Sequence, residues 1–144
     1  RIFRDIMNEY PDNKSVEGLL ESKREKIYSF KELIVWQKSV DLVLLVYKLT
    51  ATFPKSELYG ITSQMRRSSV SIPSNIAEGF KRRHLGEYTQ FLSISNASAA
   101  ELETQVIISE KLNYSDQVLR NPVKMLLIEI QKMLGVMISK LRKG

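Results

Sequence analysis

The sequence predicts an all-α fold, an antiparallel up-down four-helix bundle. Three observations lead there. Glycine and proline punctuate the chain in only a few places, and the stretches between them keep a helical period. Four such stretches of about 20–28 residues, each about 30–40 Å long, are joined by short loops that favour antiparallel neighbours. No alternating strand pattern competes with them. The 144 residues fit one domain, and a 43% hydrophobic content is enough for a core.

Residues 1–29 stand outside this plan as a charged appendage, and residues 30–144 form the bundle domain. Asn8 to Lys14 reads as a loop, and Val16 to Ile27 as a short, highly charged helix at best. The first bundle helix is expected from about Lys31 to Phe53, before Pro54. On a helical wheel Gln37, Lys38, Asp41, Lys48 and Thr52 gather on one narrow stripe. Val35, Trp36, Val40, Leu42, Val43, Leu44, Val46, Tyr47, Leu49 and Phe53 fill most of the rest. One packed face needs an apolar stripe a little over about 100° wide. This one is nearer double, which predicts a second buried surface, supplied by another subunit.

The second helix is expected from about Glu57 to Glu78, with Ser56 as its N-cap and Gly79 as its stop. The third runs from about Leu85 to Leu112. The small residues Ser93 to Ala100 at its middle would let a neighbour approach closely. The fourth runs from about Gln117 to Leu141. There Val123, Leu126, Leu127, Ile130, Met133, Leu134, Met137, Ile138 and Leu141 follow the i, i+3, i+4, i+7 rule.

Within the second helix, Ile61, Met65, Ile72 and Ile76 share the core face. Gln64, Arg67, Ser71, Asn75 and Glu78 share an adjacent stripe, and Arg66, Val70 and Ala77 a third side. Pro73 removes the backbone bond to the Ser69 carbonyl and should kink the helix. The hydroxyls of Ser68, Ser69 and Ser71 are then expected on the freed carbonyls. Half-buried polar groups must satisfy one another, because an unpaired one costs about 1–3 kcal/mol. The stripe therefore reads as a structural polar lock, with Arg67 and Glu78 pairing across to Glu101, Glu103 and Gln105 of the third helix.

Three stretches carry a family resemblance: FKELIVWQKSVDL (Phe30–Leu42), FPKSELYGITSQMRRSSVSIPSNIAEGFKRR (Phe53–Arg83) and ELETQVIISEKLNY (Glu101–Tyr114). Over about residues 30–114 the chain resembles the proteins encoded by intervening sequences of bacterial 23S ribosomal RNA genes. The fourth helix agrees only in character. Asn96-Ala97-Ser98 departs from the family, which commonly has glycine before the serine. The resemblance implies a four-helix bundle assembled into a ring-like homo-oligomer, a pentamer. It also implies a loose kinship with Avd, the accessory protein of diversity-generating retroelements. By that analogy the partners are nucleic acid and a protein such as a reverse transcriptase. The family leaves the biochemical function open.

Charge is segregated along the chain, whose net charge is +6. Residues 60–84 carry five basic and one acidic side chain, and residues 117–144 six and one. Residues 85–116 carry one and five. Packing between helices would neutralise part of this. The remainder points to phosphates: Arg66, Lys81, Arg82, Arg83 and His84 cluster around the end of the second helix. Lys140, Arg142 and Lys143 end the fourth, at the same pole of an up-down bundle. Cations at helix C-termini also complement the helix dipoles, by about 0.3–1 kcal/mol each. No RNA-recognition motif or stacking aromatic series is present, so little sequence specificity is expected.

Enzyme chemistry finds no equipment. There is no cysteine, and His84 is the only histidine, so no Glu-x-x-His pair exists for a di-iron site. Neither G-x-x-x-x-G-K-[ST] nor G-x-S-x-G occurs. Glu103 and Glu110, one heptad apart, read as counter-charges to basic helices. No cofactor or metal is expected. The longest apolar run, Leu42–Tyr47, is far short of the about 20 residues of a membrane span. The absence of cysteine suits a reducing cytoplasm, the expected location.

The function expected is therefore a non-enzymatic oligomeric accessory protein. It would bind RNA or DNA through Arg66, Lys81, Arg82, Arg83, Lys140, Arg142 and Lys143. The alternative is a protein-interaction scaffold without direct nucleic-acid binding.

Overall fold

The computed structural model describes residues 27–143, so the appendage expected over residues 1–29 lies outside it apart from Ile27, Tyr28 and Ser29. The described chain folds into four long helices: α1 (Ile34–Thr50), α2 (Ile61–Lys81), α3 (Leu85–Lys111) and α4 (Gln117–Lys143). Short 3-10 turns stand at Phe30–Glu32 and Lys55–Glu57, and there is no strand among the described residues. None of these helices is long and apolar enough to cross a membrane.

Each helix packs on two neighbours, α1 on α2 and α4, and α3 on the same two. Bonded pairs give the directions. Between α2 and α3 they run Ser68–Gln105, Ser71–Ser98 and Ile72–Ser95, one number rising as the other falls. Glu103–Gln131 and Glu110–Lys124 do the same between α3 and α4. Thr50 meets Arg66, while Phe30 lies against the last turn of α2. Successive helices therefore alternate up and down.

The helix ends differ from the sequence expectation in instructive ways. Ser56 does not cap α2; it lies in the second 3-10 turn, and α2 starts at Ile61, four residues later than expected, with Gly60 at the N-cap. The Glu57 carboxylate takes over, accepting from the Ile61 amide at 3.3 Å. Gly79 does not stop α2, which continues to Lys81. Asp116 caps α4 by accepting from the Val118 amide at 3.1 Å. α3 ends with Asn113 in the left-handed region (φ 57°). The Asn113 and Tyr114 amides there donate to the Glu110 and Ser109 carbonyls. That double return is the Schellman arrangement, and Asn is one of the few side chains that tolerates it.

Gly79 has another purpose. A Cβ built on it would stand 2.7 Å from Phe91 Cβ and 3.2 Å from the Tyr88 ring. It lets α2 and α3 approach closely, and the small residues of α3 extend that approach. Ser95 donates to the Ile72 carbonyl at 2.9 Å, and Ser98 lies 2.9 Å from Ser71. Pro73 sits buried inside the uninterrupted α2. The serines around it do not occupy the carbonyl it frees. Ser68 and Ser69 bond the Met65 and Arg66 carbonyls one turn earlier, and Ser71 reaches α3.

The core is mainly apolar, with Leu42, Val46, Leu49, Met65, Ile72, Ile76, Leu92, Leu102, Ile130 and Leu134 fully buried, and the polar side chains buried beside them include Ser68, Ser95 and Gln105. Each such side chain is worth about 1.5–3 kcal/mol over leaving it in water. α1 has more apolar surface than this core uses. Leu44 is 64% exposed and Tyr47 42%, and Val70 of α2 stands exposed one turn beyond the residue that meets Tyr47.

Candidate nucleic-acid interface

One pole of the bundle collects the start of α1, the end of α2, the start of α3 and the end of α4. Its backbone brings Lys31, Lys81, Arg82, Arg83, Lys140, Arg142 and Lys143 to one end, against the carboxylates Glu32, Glu78 and Glu87. Glu32 is committed locally, its carboxylate accepting from the Tyr28 and Ser29 amides at 2.8 and 3.0 Å. Lys81, Arg82, Arg83, Arg142 and Lys143 are exposed and Lys140 half-buried. The ion pairs among the described residues are Lys38–Glu129, Arg120–Glu110 and Lys124–Glu110, and none involves this pole. The two C-terminal dipole ends here are offset by the N-termini of α1 and α3, so dipole complementation accounts for only part of the cationic excess.

Two of the cations are shaped by aromatic neighbours. The Arg82 guanidinium lies 4.8 Å from the centre of the Phe91 ring. Lys81 and Arg82 border an open cleft of about 460 Å³ with Phe30, Ala77 and Glu78. Arg83 and His84 line a smaller hollow of about 110 Å³ with Arg82, Leu85 and Tyr88. Among the described residues no group of three His, Cys, Asp or Glu side chains could hold a metal ion.

Arg66 is not part of this cluster. It lies fifteen residues before Lys81, about 22 Å along the helix axis. Its Nε donates to Thr50 Oγ1 at 3.0 Å and its guanidinium covers the Tyr47 ring at 4.6 Å. Both contacts tie it to the end of α1, at the opposite half of the molecule. Proximity in sequence to the basic run suggests membership; fifteen residues of continuous helix remove it.

The polar stripe of α2 is likewise divided. Ser71 and Asn75 come together, Asn75 donating to the Ser71 carbonyl at 2.8 Å and to its hydroxyl at 2.9 Å, with Ser98 completing the group. Gln64, Arg67 and Glu78 are exposed. Arg67 donates to Ser63 at 3.3 Å, within its own helix rather than across to α3, and Glu78 lines the pole cleft. The buried crossing is made by Ser68, which donates to Gln105 at 2.7 Å; Gln105 in turn reaches Glu101 at 3.4 Å. Ser68 lies just inside the stripe, towards the core, and only the position of α3 reveals that it carries the contact. Glu103 turns the other way and accepts from Gln131 of α4 at 2.8 Å.

The far end pairs some of its charges internally. Glu110 takes Lys124 at 2.9 Å and Arg120 at 3.6 Å. The hydrogen bond from Lys124 is the main cause holding the Glu110 carboxyl below its usual range. Partial burial works against it, and the charges of Arg120, Lys124 and Lys111 add to it.

Residues 31–136 match the family of 23S rRNA-intervening sequence proteins, and the chain belongs to that family. Its fold is similar to a crystal structure of a protein of unknown function from the S23 ribosomal protein family of Bacteroides thetaiotaomicron. The two share 22% identity with a TM-score of 0.63, over 69% of this chain and 94% of that one. No curated protein matches the chain.

Proposed function

We propose that this member of the 23S rRNA-intervening sequence protein family is a non-enzymatic, oligomeric accessory protein that binds nucleic acid through its phosphates. The observation that carries the reading is the cationic pole: Lys81, Arg82, Arg83, Lys140, Arg142 and Lys143 converge there without a carboxylate partner among the described residues. Flexible lysines and arginines facing water bind phosphate by releasing its counterions, which gives affinity without base reading. Self-association is supported by the apolar surface that the core of one chain leaves uncovered, Leu44 and Tyr47 of α1 with Val70 of α2. A ring of subunits, five by the family resemblance, would repeat the cationic pole around one axis.

The test is fluorescence anisotropy with structured RNA, single strands and duplex DNA across a salt series, with subunit number from light scattering. The reading expects binding to all three that weakens steeply with salt, a slope of about −0.9 per phosphate contact on duplex DNA. It expects an assembly larger than one chain. Absence of binding at low salt would favour a protein scaffold, a reading supported by exposed apolar side chains at the opposite pole, Tyr59 at 93% and Val118 at 75%.

A further inference from the structure

The cleft of about 460 Å³ at the cationic pole has a lining that phosphate binding alone does not use. Its apolar surface comes from Phe30 and Ala77, and its charged side from Lys81, Arg82 and Glu78. Phe30 is presented by a turn that is tied from several directions. Ser29 accepts from the Lys31 amide at 3.2 Å, and Gln37 Nε2 donates to the Lys31 carbonyl at 2.8 Å. Glu32 closes a capping box with Ser29. Behind Phe30 the ring of Trp36, the sole tryptophan, stands edge-on at 5.3 Å and 62°. The result is a held aromatic ring beside two cations in an open concavity.

Resting on the nucleic-acid reading above, we propose that this cleft seats one unpaired base of a single strand, packed against Phe30, while Lys81 and Arg82 take the adjoining phosphates. Every base has a π-face, so such a seat tolerates any sequence but requires an unstacked nucleotide. Duplex DNA offers no base face there and binds by the cations alone.

The test compares three probes of equal charge on the full chain: a short single-stranded RNA, an abasic strand of the same length, and a blunt duplex. Anisotropy gives affinity and Trp36 emission reports the cleft. The single strand should bind at least about fivefold tighter than the abasic strand, the low end of what one base–aromatic stack supplies, and should change Trp36 emission. Phe30→Leu, which keeps apolar volume and so the fold, should erase that difference while leaving abasic binding unchanged. Equal affinity for single and abasic strands, or an unchanged preference in Phe30→Leu, would overturn the base seat and leave phosphate binding standing. If no probe binds at low salt, both readings fail together.

Discussion

The two ends of this bundle are built by different physics. At the cationic end, α2 and α3 are held by close approach: Gly79 lets the helices meet at Phe91 and Tyr88, and Ser71, Ser95 and Ser98 continue the contact with neutral hydrogen bonds. The cations there take no part in ion pairs among the described residues and are left facing water. At the far end Glu110 engages Arg120 and Lys124, and Arg66 is tied to Thr50 and Tyr47. A net charge of +6 does not by itself locate a binding surface. The ends differ in how charge is partnered: among the described residues Lys81, Arg82, Arg83, Lys140, Arg142 and Lys143 make no ion pair, whereas Glu110 holds Arg120 and Lys124.

Perturbations should therefore act differently at the two ends. The largest effect on stability is expected from Gly79→Ala, because a methyl group 2.7 Å from Phe91 Cβ forces the two helices apart. Urea unfolding should show a loss of about 1–3 kcal/mol, the range for overpacking. A neutral result would mean that the cationic end is not held by close approach. Gly135→Ala provides the contrast within α4, since nothing lies within 4 Å of a Cβ there. It should raise stability by about 0.5–1 kcal/mol through helix propensity alone.

The smallest effect belongs to Glu110→Gln, at the exposed ion pairs of the far end, and it should depend on pH. The folded-state carboxyl is held below its ordinary value, so its contribution is present above about pH 4.3, the usual value for Glu. It fades as pH falls through the depressed folded value. The wild-type advantage over Glu110→Gln should thus be seen at neutral pH and vanish in acid, and added salt should also reduce it. An advantage that grew on acidification would contradict the pairing described.

The four helices were legible because few glycines and prolines interrupt them, and the nine apolar positions of α4 named from the sequence are all buried or half-buried. The errors came where one residue type serves two purposes. A glycine that ends a helix and a glycine that admits a neighbour look alike until Phe91 is placed beside Gly79. Ser56 looked like a cap, but the longer Glu57 side chain reaches the Ile61 amide instead. Of the cationic site, Lys81, Arg82 and Arg83 could be grouped with Lys140, Arg142 and Lys143 from the up-down topology alone. Excluding Arg66 required knowing that it faces α1. The cleft under Phe30 was not legible, since it joins a turn before α1 to the last turn of α2, over forty residues later.

The proposed binding surface is the cationic pole, as distinct from overall positive charge. Two double reversals change net charge equally: Arg82→Glu with Arg83→Glu at the pole, and Lys48→Glu with Lys55→Glu, exposed cations toward the other end. Surface substitutions of this kind should each leave stability within about 0.5 kcal/mol. Measured side by side against the same RNA at one salt concentration, the first pair should weaken binding by about tenfold or more and the second should leave it nearly unchanged. Equal losses from the two pairs would contradict the account, because binding would then follow net charge rather than the pole.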